Sequence, residues 1–187
     1  LFVKKAVENG IDIIRIFDAL HDVNNLKVAM EATKNAGAIA SGTISYTTSP
    51  VHTHAKYVEM VKELKEMGAS TICIKDMAGI MGPQEAYDMV SAIKDAVPGM
   101  PIDLHTHSTT GLAFMTYLKA VEAGCDIIDT AISPFSGGTS QPATETLAYA
   151  LRQLGYEVDL DDTCTTKMSD YFKGVRDEFV KDGTLMP

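Results

Sequence analysis

The chain alternates short apolar runs with amphipathic segments, and this alternation limits its possible folds more than any other feature. Five runs rich in β-branched residues predict strands: Ile11–Phe17, Ile39–Tyr46, Ser70–Lys75, Ile102–His107 and Asp126–Ser133. The segments that follow them predict helices: about 22–36, 54–67, Pro83 to just before Pro98, about 111–123, and Pro142 to Gly155. Buried strands alternating with helices every ~30 residues are typical of a parallel α/β fold, either an open doubly wound sheet or a (β/α)8 barrel.

The length of the chain suits only part of a barrel. A complete barrel takes about 250 residues, and five strand–helix units in 187 residues leave it three strands short. Residues 1–10 resemble the last turns of a helix that closes on Gly10, so we expect a piece of a longer protein whose first barrel strands precede Leu1. Asp161 can cap one more helix through about Lys181. We therefore predict a barrel portion over 1–155, and a helical extension with the start of a linker over 156–187.

Composition limits the possible partners. The chain is 45% hydrophobic and 22% charged, with a net charge of -9 and a pI near 4.9. Without a basic patch, it is not expected to bind nucleic acid or an anionic membrane surface. No apolar stretch approaches the ~18 residues of a transmembrane segment, and no signal peptide is recognisable. Three irregularly spaced cysteines suit reduced thiols, so we expect a cytoplasmic protein acting on small molecules or proteins.

Two histidines stand at the end of the fourth predicted strand. His105 and His107 are two residues apart, which places both imidazoles on one face of the strand. Such a pair can bind one metal, or it can be two solvated side chains. Lys75 ends the preceding apolar run 30 residues earlier, so a parallel sheet would bring it beside the pair at the same edge.

Other polar residues also collect at the predicted strand ends, where α/β proteins place their active sites. The candidates for a pocket are Arg15, Asp18, Ser45, Tyr46, Ser140 and Gln141. Arg15 could instead pair with a neighbouring carboxylate, Ser45 and Tyr46 could be hydrogen-bonding loop residues, and Asp76 could only cap a turn. Three further histidines are predicted to lie on the surface: His21, His52 and His54. Gly137 and Gly138 before Thr139 resemble an anion-binding helix start.

Several motifs occur together in a fixed order. They are Arg15-Ile-Phe-Asp18, Ile44-Ser-Tyr-Thr47, Ile74-Lys-Asp-Met-Ala-Gly79, Leu104-His-Thr-His-Ser-Thr-Thr-Gly111 and Gly138-Thr-Ser-Gln-Pro142. With them the chain resembles, over positions 1 to about 180, the carboxyltransferase domain of biotin-dependent pyruvate carboxylase. It is similar also to the α subunit of oxaloacetate decarboxylase and to the large non-biotin subunit of transcarboxylase.

The resemblance implies a metal-dependent TIM barrel. It implies a divalent zinc, manganese or cobalt ion held by His105, His107 and a carbamylated Lys75. A free ammonium cannot be a metal ligand, whereas a carbamate is an anionic oxygen donor. The family's fourth ligand, an aspartate, would precede Leu1, as would its substrate-binding arginine and glutamine.

The resemblance also implies an activity, namely carboxyl transfer between carboxybiotin and pyruvate, with formation or decarboxylation of oxaloacetate through an enolate. Thr139 would carry the proton between biotin and the enol, and Ser140 and Gln141 would shape the carboxybiotin pocket. The implied partners are pyruvate or oxaloacetate, a biotin carboxyl carrier domain or subunit, and further copies in a homo-oligomer. The location would be cytoplasmic or peripheral to a membrane decarboxylase complex. Ser108, where pyruvate carboxylases commonly have aspartate, leaves the direction of the reaction open.

Two alternatives belong to other functional classes. Related metal-dependent Claisen-type synthases and lyases also have a His-x-His at this strand, but they lack a lysine in the position of Lys75. The chain could also be a catalytically inactive module that dimerises or binds a carrier protein. Because three barrel strands are expected to be missing, we expect low or no activity from the 187-residue piece by itself.

Overall fold

The computed structural model describes residues 1–186 as one parallel sheet with helices packed on it. The strands are β1 (Ile13–Ile16), β2 (Ile39–Ser45), β3 (Thr71–Asp76), β4 (Ile102–Thr106) and β5 (Ile127–Ile128). The α-helices are α1 (Phe2–Glu8), α2 (Lys27–Asn35), α3 (His54–Glu66), α4 (Pro83–Ala96), α5 (Ala113–Glu122), α6 (Thr144–Gln153) and α7 (Asp162–Lys181). Two short 3₁₀ turns span Val23–Asn25 and Ser133–Phe135.

Strand order decides between the two predicted architectures. The five strands lie in sequential order, β1-β2-β3-β4-β5, and every neighbouring pair is parallel. A doubly wound sheet reverses its strand order at a switch point, and this sheet does not. Right-handed crossovers that always step in one direction put all the connecting helices on the same face. The prediction of part of a (β/α)8 barrel followed by a C-terminal helix is therefore confirmed.

Local sequence signals account for most helix ends. Pro83 occupies the first turn of α4, where its missing N–H costs no hydrogen bond. The Asp161 carboxylate accepts hydrogen bonds from the amides of Thr163 and Cys164 at 2.8 and 3.1 Å, which caps α7 as predicted. Thr53 caps α3 through the amide of Lys56.

The fifth strand is shorter than predicted, for a tertiary reason. The Asp129 amide still donates to the Leu104 carbonyl at 3.1 Å, but Ala131 instead bonds the Pro142 carbonyl at 3.0 Å. Since Pro142 takes part in this ladder, α6 begins at Thr144. The predicted helix over 22–36 is likewise divided into a 3₁₀ turn and α2.

The two faces of the sheet differ sharply. Side chains on the face that packs against the helices are apolar and fully buried: Ile44, Ile72, Ile74, Ile102 and Leu104. The opposite face, called the inner face below, carries the alternate residues: Arg15, Ser41, Thr43, Ser45, Cys73, Lys75, Asp103 and His105. Because strands alternate their side chains, one sheet holds a hydrophobic core on one side and a largely polar face on the other.

The C-terminal part packs against the barrel portion. In α7, Phe172 contacts Phe135 with ring centroids 5.9 Å apart, and the hydroxyl oxygens of Ser133 and Ser169 lie 2.8 Å apart. The domain division at residue 155 stays a prediction, and Pro187, at the end of the predicted linker, lies outside the described residues. Within residues 1–186, the structure contains no helix that is both long and apolar enough to cross a membrane.

Candidate functional site

The centre of the site is the histidine pair at the end of β4. The Nε2 atoms of His105 and His107 face each other at 3.0 Å. His105 Nδ1 lies 2.7 Å from the Asp129 carboxylate, and His107 Nδ1 lies 2.6 Å from the Thr139 carbonyl oxygen. Both of these partners are acceptors, and the one donor near His105 Nδ1 within residues 1–186, Arg15 Nη1 at 3.5 Å, makes its shorter bond to Asp129 at 2.6 Å. Each Nδ1 therefore carries the hydrogen and donates it. In the neutral rings, the facing Nε2 atoms therefore present lone pairs.

This arrangement fits a divalent metal. Two facing lone pairs repel each other unless a cation lies between or beside them. Imidazole nitrogens bind zinc at about 2.0–2.1 Å, so one ion can contact two nitrogens 3.0 Å apart. Metal-binding histidines usually donate their other ring N–H to a carboxylate or a backbone carbonyl, and both kinds of acceptor are present here. Within residues 1–186, no group of three or more histidine, cysteine, aspartate or glutamate side chains is arranged so that it could hold a metal ion by itself.

Lys75 lies where the sequence predicts. It is the register neighbour of His105 on β4 and of Ser45 on β2, and it shares the inner face with both. Its Nζ stands 4.2 Å from the centroid of the Phe17 ring, a cation–π contact. Its role as a metal ligand stays a prediction.

Arg15 crosses the inner face and joins two carboxylates. Its Nη1 donates to Asp129 at 2.6 Å, and its Nη2 contacts Asp103. Burial alone would lower the pKa of Arg15, but the hydrogen bond to Asp129 and the charges of both aspartates raise it overall. The structure thus shows Arg15 paired with two carboxylates, and its contact with a substrate stays a prediction.

The two aspartates have different acidities. Burial, followed by repulsion from Asp129, raises the pKa of Asp103 to about 6 despite the attraction of Arg15. Burial also acts to raise the pKa of Asp129, but hydrogen bonds from His105 and Arg15 outweigh it and lower this pKa to about 2. Asp129 therefore stays ionised to a lower pH than Asp103 does.

The loop over residues 136–142 closes one side of the site. Gly137 and Gly138 have positive φ values of 81° and 54°, which allows the chain to turn back tightly. The Gly137 amide donates to the Gln141 carbonyl, and the Ser108 amide donates to the Ser140 carbonyl, both at 2.8 Å. These bonds fix the loop against the end of β4.

The side chains of this loop reach the site unequally. The Gln141 side-chain nitrogen lies 3.3 Å from His105 Nε2, and the Ser140 hydroxyl donates to the Gln141 side-chain oxygen at 3.4 Å. Thr139 is exposed, and its hydroxyl makes no hydrogen bond to any residue in 1–186. The contact of Thr139 with the histidine pair is made by its backbone carbonyl oxygen, which lies beside His107 Nδ1.

Two predicted pocket residues lie elsewhere. The Asp18 carboxylate accepts hydrogen bonds from the amides of Leu20 and Asp22 and from the Asn25 side chain, so it stabilises the loop after β1. Tyr46 has the parity of the helix-facing side and is buried, with its ring 6.0 Å from that of Tyr57. Ser45 does lie on the inner face, where its hydroxyl is buried without a hydrogen-bond partner among the described residues.

Asp76 supports the site from the opposite face. Its fully buried carboxylate accepts hydrogen bonds from the amides of Ile80 and Met81 at 3.1 and 2.8 Å, and from the Thr106 hydroxyl at 2.8 Å. Its backbone carbonyl accepts from the His107 amide at 3.2 Å. As the turn-capping interpretation predicted, Asp76 orders the loop beside the histidines.

Sequence reasoning missed Asp103, Asp129 and His21. Asp103 is near the start of β4 and Asp129 lies inside the predicted fifth strand, so the strand-end rule passed over both. The signal that could have found them is that a carboxylate at either position shares the face of His105. His21 is not simply a surface residue. Its Nε2 accepts a hydrogen bond from the Ser45 amide at 2.9 Å, and its backbone has a positive φ of 63°.

Comparison with known proteins identifies the family. A family model described as HMGL-like matches residues 3–171. A pyruvate carboxylase subunit of Methanocaldococcus jannaschii is 53% identical over 95% of this chain and 31% of its own length. The methylmalonyl-CoA carboxyltransferase 5S subunit of Propionibacterium freudenreichii is 47% identical over 96% of this chain and 36% of its own length.

A solved structure shows the same fold. The carboxyl transferase domain of Rhizobium etli pyruvate carboxylase with pyruvate superposes with a TM-score of 0.90 at 37% identity, over 94% of this chain and 30% of that one. The chain thus spans about a third of the length of its relatives. It belongs to the HMGL-like family, and its fold is that of part of a carboxyltransferase barrel.

Proposed function

We propose that this chain contributes the metal site of a biotin-dependent carboxyltransferase that moves a carboxyl group between carboxybiotin and pyruvate. The observation that carries the proposal is the facing pair of Nε2 atoms, with Lys75 in register beside it at the C-terminal edge of the sheet. Relatives named as pyruvate carboxylase and carboxyltransferase subunits support it. The register position of Lys75 favours this activity over that of the Claisen-type enzymes.

In this proposal, three side chains hold the metal. His105 and His107 supply Nε2 atoms, and Lys75 supplies a carbamate oxygen. The carbamate forms when the neutral Lys75 amine adds to carbon dioxide, making an N–C bond and releasing one proton to solvent. A bound zinc, manganese or cobalt ion would act as a Lewis acid toward the carbonyl of the 2-oxo acid.

The transfer exchanges one proton for one carboxyl group. The methyl carbon of pyruvate loses a proton and gains the carboxyl group, while N1 of biotin loses that group and gains a proton. Decarboxylation of oxaloacetate is the reverse. The Thr139 hydroxyl is proposed to relay the proton, and the exposed position of Thr139 leaves it accessible to a biotin brought by a carrier domain. Ser140 and Gln141 would line that approach.

The wider assignments are proposals too. A biotin carboxyl carrier domain or subunit is the expected partner, the active form is expected to be a homo-oligomer, and the expected location is cytoplasmic.

The inner face also gives a reason to expect little activity from residues 1–187 alone. At the first residues of β1, β2 and β5, this face leaves Ile13, Ile39 and Ile127 about half exposed, at 54%, 41% and 43%. Among the described strands, β1 also has one edge that no strand pairs with.

The metal site is tested in the full-length protein. Elemental analysis and an anomalous difference map should show one divalent ion at His105 and His107, with extra density on the Lys75 amine. His105→Ala should lose the ion and the carboxyl transfer together, whereas Cys164→Ser, at an exposed position of α7, should change neither. A well-ordered, unmodified Lys75 pointing away from an occupied metal would contradict the ligand assignment.

The role of Thr139 is tested separately, because its carbonyl and hydroxyl have different proposed tasks. Thr139→Ala keeps the carbonyl that contacts His107, so metal content should not change. If the hydroxyl relays the proton, the same variant should lower the transfer rate by roughly 10²–10⁴, and Thr139→Ser should recover much of it. A rate within about threefold of wild type would leave Thr139 with its backbone role only.

A further inference from the structure

We infer that Asp129 is the positioning residue that fixes the tautomer of His105 and thereby sets the affinity of the histidine pair for its cation. The inference rests on the proposed metal site and extends it to a residue that does not itself bind the metal. It assigns different roles to Asp129 and Asp103, two carboxylates that share one arginine.

The Asp129 carboxylate is held in place before any metal binds. Its Oδ2 accepts hydrogen bonds from His105 Nδ1 at 2.7 Å and from Arg15 Nη1 at 2.6 Å. Its backbone is fixed as well, because its amide donates to the Leu104 carbonyl at 3.1 Å and its carbonyl accepts from the Tyr117 hydroxyl at 2.6 Å. Residues from β1, β4 and α5 therefore all hold Asp129.

This fixed acceptor determines which ring nitrogen of His105 is free. A neutral imidazole has one N–H and one lone pair, and the hydrogen bond made by one nitrogen decides the state of the other. With Nδ1–H donated to Asp129, the lone pair lies on Nε2, the atom that faces His107. Without that acceptor, part of the His105 population would place its proton on Nε2 and could not bind the metal there.

Asp103 provides a comparison with Asp129 within the same structure. It pairs with the same guanidinium, lies on the same face and is more buried, with 6% of its side chain exposed against 29% for Asp129. It forms no hydrogen bond to His105. Removing either aspartate takes one negative charge from the inner face, but only the loss of Asp129 removes the acceptor for Nδ1.

His107 provides a second reference within the same site. Its Nδ1 donates to the backbone carbonyl of Thr139, which no side-chain substitution removes. A change at Asp129 should therefore alter His105 and leave His107 oriented. The expected effect is that the His105 ring loses its fixed orientation while the His107 ring keeps its own.

The test measures cobalt(II) affinity of the metal-free, full-length protein by competition with a chelator. Asp129→Ala should weaken binding by roughly 10–100-fold, the usual effect of losing such a supporting partner. Asp129→Asn, whose amide oxygen can still accept from Nδ1 while bonded to Arg15, should recover most of this loss. Asp103→Ala should stay within about threefold of wild type, because the ring keeps its acceptor.

A second readout separates orientation from general damage. In the cobalt-loaded wild type, proton NMR should show two metal-shifted, solvent-exchangeable resonances, one from each Nδ1–H. Asp129→Ala should broaden or remove the one that belongs to His105 and leave the other. The wild-type spectrum tests the inference even if the alanine variant does not fold, because fewer than two such resonances would overturn it.

The outcomes distinguish the inference from the proposed function. If wild-type protein binds no cobalt at the histidine pair, the proposed metal site is wrong. If wild type binds cobalt but Asp129→Ala binds it within about threefold as well, or Asp103→Ala loses as much affinity as Asp129→Ala, the positioning role is overturned while the metal site stands.

Discussion

The two faces of the sheet are built from alternate residues of the same strands, yet they have opposite tasks. Ile74 and Leu104 on the helix-facing side are fully buried among apolar neighbours. Lys75 and His105, one residue further along the same strands, lie partly exposed on the inner face. The comparison teaches that a period of two residues separates stability from chemistry within a single strand. A substitution at one position should therefore affect a different property from one at the next.

The separation is incomplete at the strand ends. Asp76 has the parity of the apolar face, but its carboxylate accepts three hydrogen bonds and orders the loop that leads to Gly79. Thr110 donates to the Gly79 carbonyl, which joins that loop to the one after β4. The helix-facing side thus controls the position of the histidines through its loops.

The largest expected contrast comes from neighbouring residues of β4. Leu104→Ala should lower the free energy of unfolding by about 2–5 kcal/mol, because it opens a cavity in the core. Metal affinity, measured at a temperature where the variant is folded, should hardly change. His105→Gln should instead abolish binding at the pair and lower the free energy of unfolding by no more than about 1.5–3 kcal/mol, the net value of a hydrogen bond to a charged group such as Asp129.

Chemical denaturation and cobalt titration of both variants check this contrast. If Leu104→Ala weakened cobalt binding as much as His105→Gln, the two faces would not be independent.

A change at Gly79 should affect both faces, with a smaller loss of cobalt affinity than His105→Gln causes. Gly79 has a φ of 66°, and a side-chain carbon there would collide with the His107 carbonyl oxygen. Gly79→Ala should cost about 1–2 kcal/mol for the left-handed backbone and about 1–3 kcal/mol more for the crowding, and it should also weaken cobalt binding by moving His107. Gly99→Ala is the matched control, since Gly99 has a φ of 78° but no atom within 4 Å of the added carbon.

Thermal or chemical unfolding and cobalt titration of the two glycine variants separate strain from displacement. Equal destabilisation and unchanged cobalt affinity in both would show that the approach of Gly79 to His107 has no consequence for the site.

The smallest expected effect is a pH dependence at the rim of the sheet. Burial, followed by repulsion from His52, lowers the pKa of His21, although the charge of Asp18 acts the other way. Because the unfolded chain then binds a proton more readily than the folded one, this histidine makes stability fall as pH decreases below about 6.5, the usual pKa of histidine. The contribution is complete above that pH.

His21→Asn tests this effect, because asparagine tolerates a positive φ and does not titrate. Unfolding free energies measured from about pH 5 to pH 7 should show a shallower slope in the variant than in wild type. Identical slopes would mean that the His21 imidazole does not contribute to the pH dependence.

Local sequence signals determined the strand and helix pattern, the caps at Pro83 and Asp161, and the positions of Lys75, His105 and His107 on one edge. These features depend on residues a few positions apart, or on the regular length of one strand–helix unit. The tertiary structure alone decided that Arg15 binds Asp103 and Asp129, which are 88 and 114 residues away in sequence. It also decided that β5 ends early and that His107 is oriented by a backbone carbonyl. Such partners depend on the register and curvature of the whole sheet, which bring together residues that are distant in sequence. The residues next to each of them in the chain therefore do not reveal the partner.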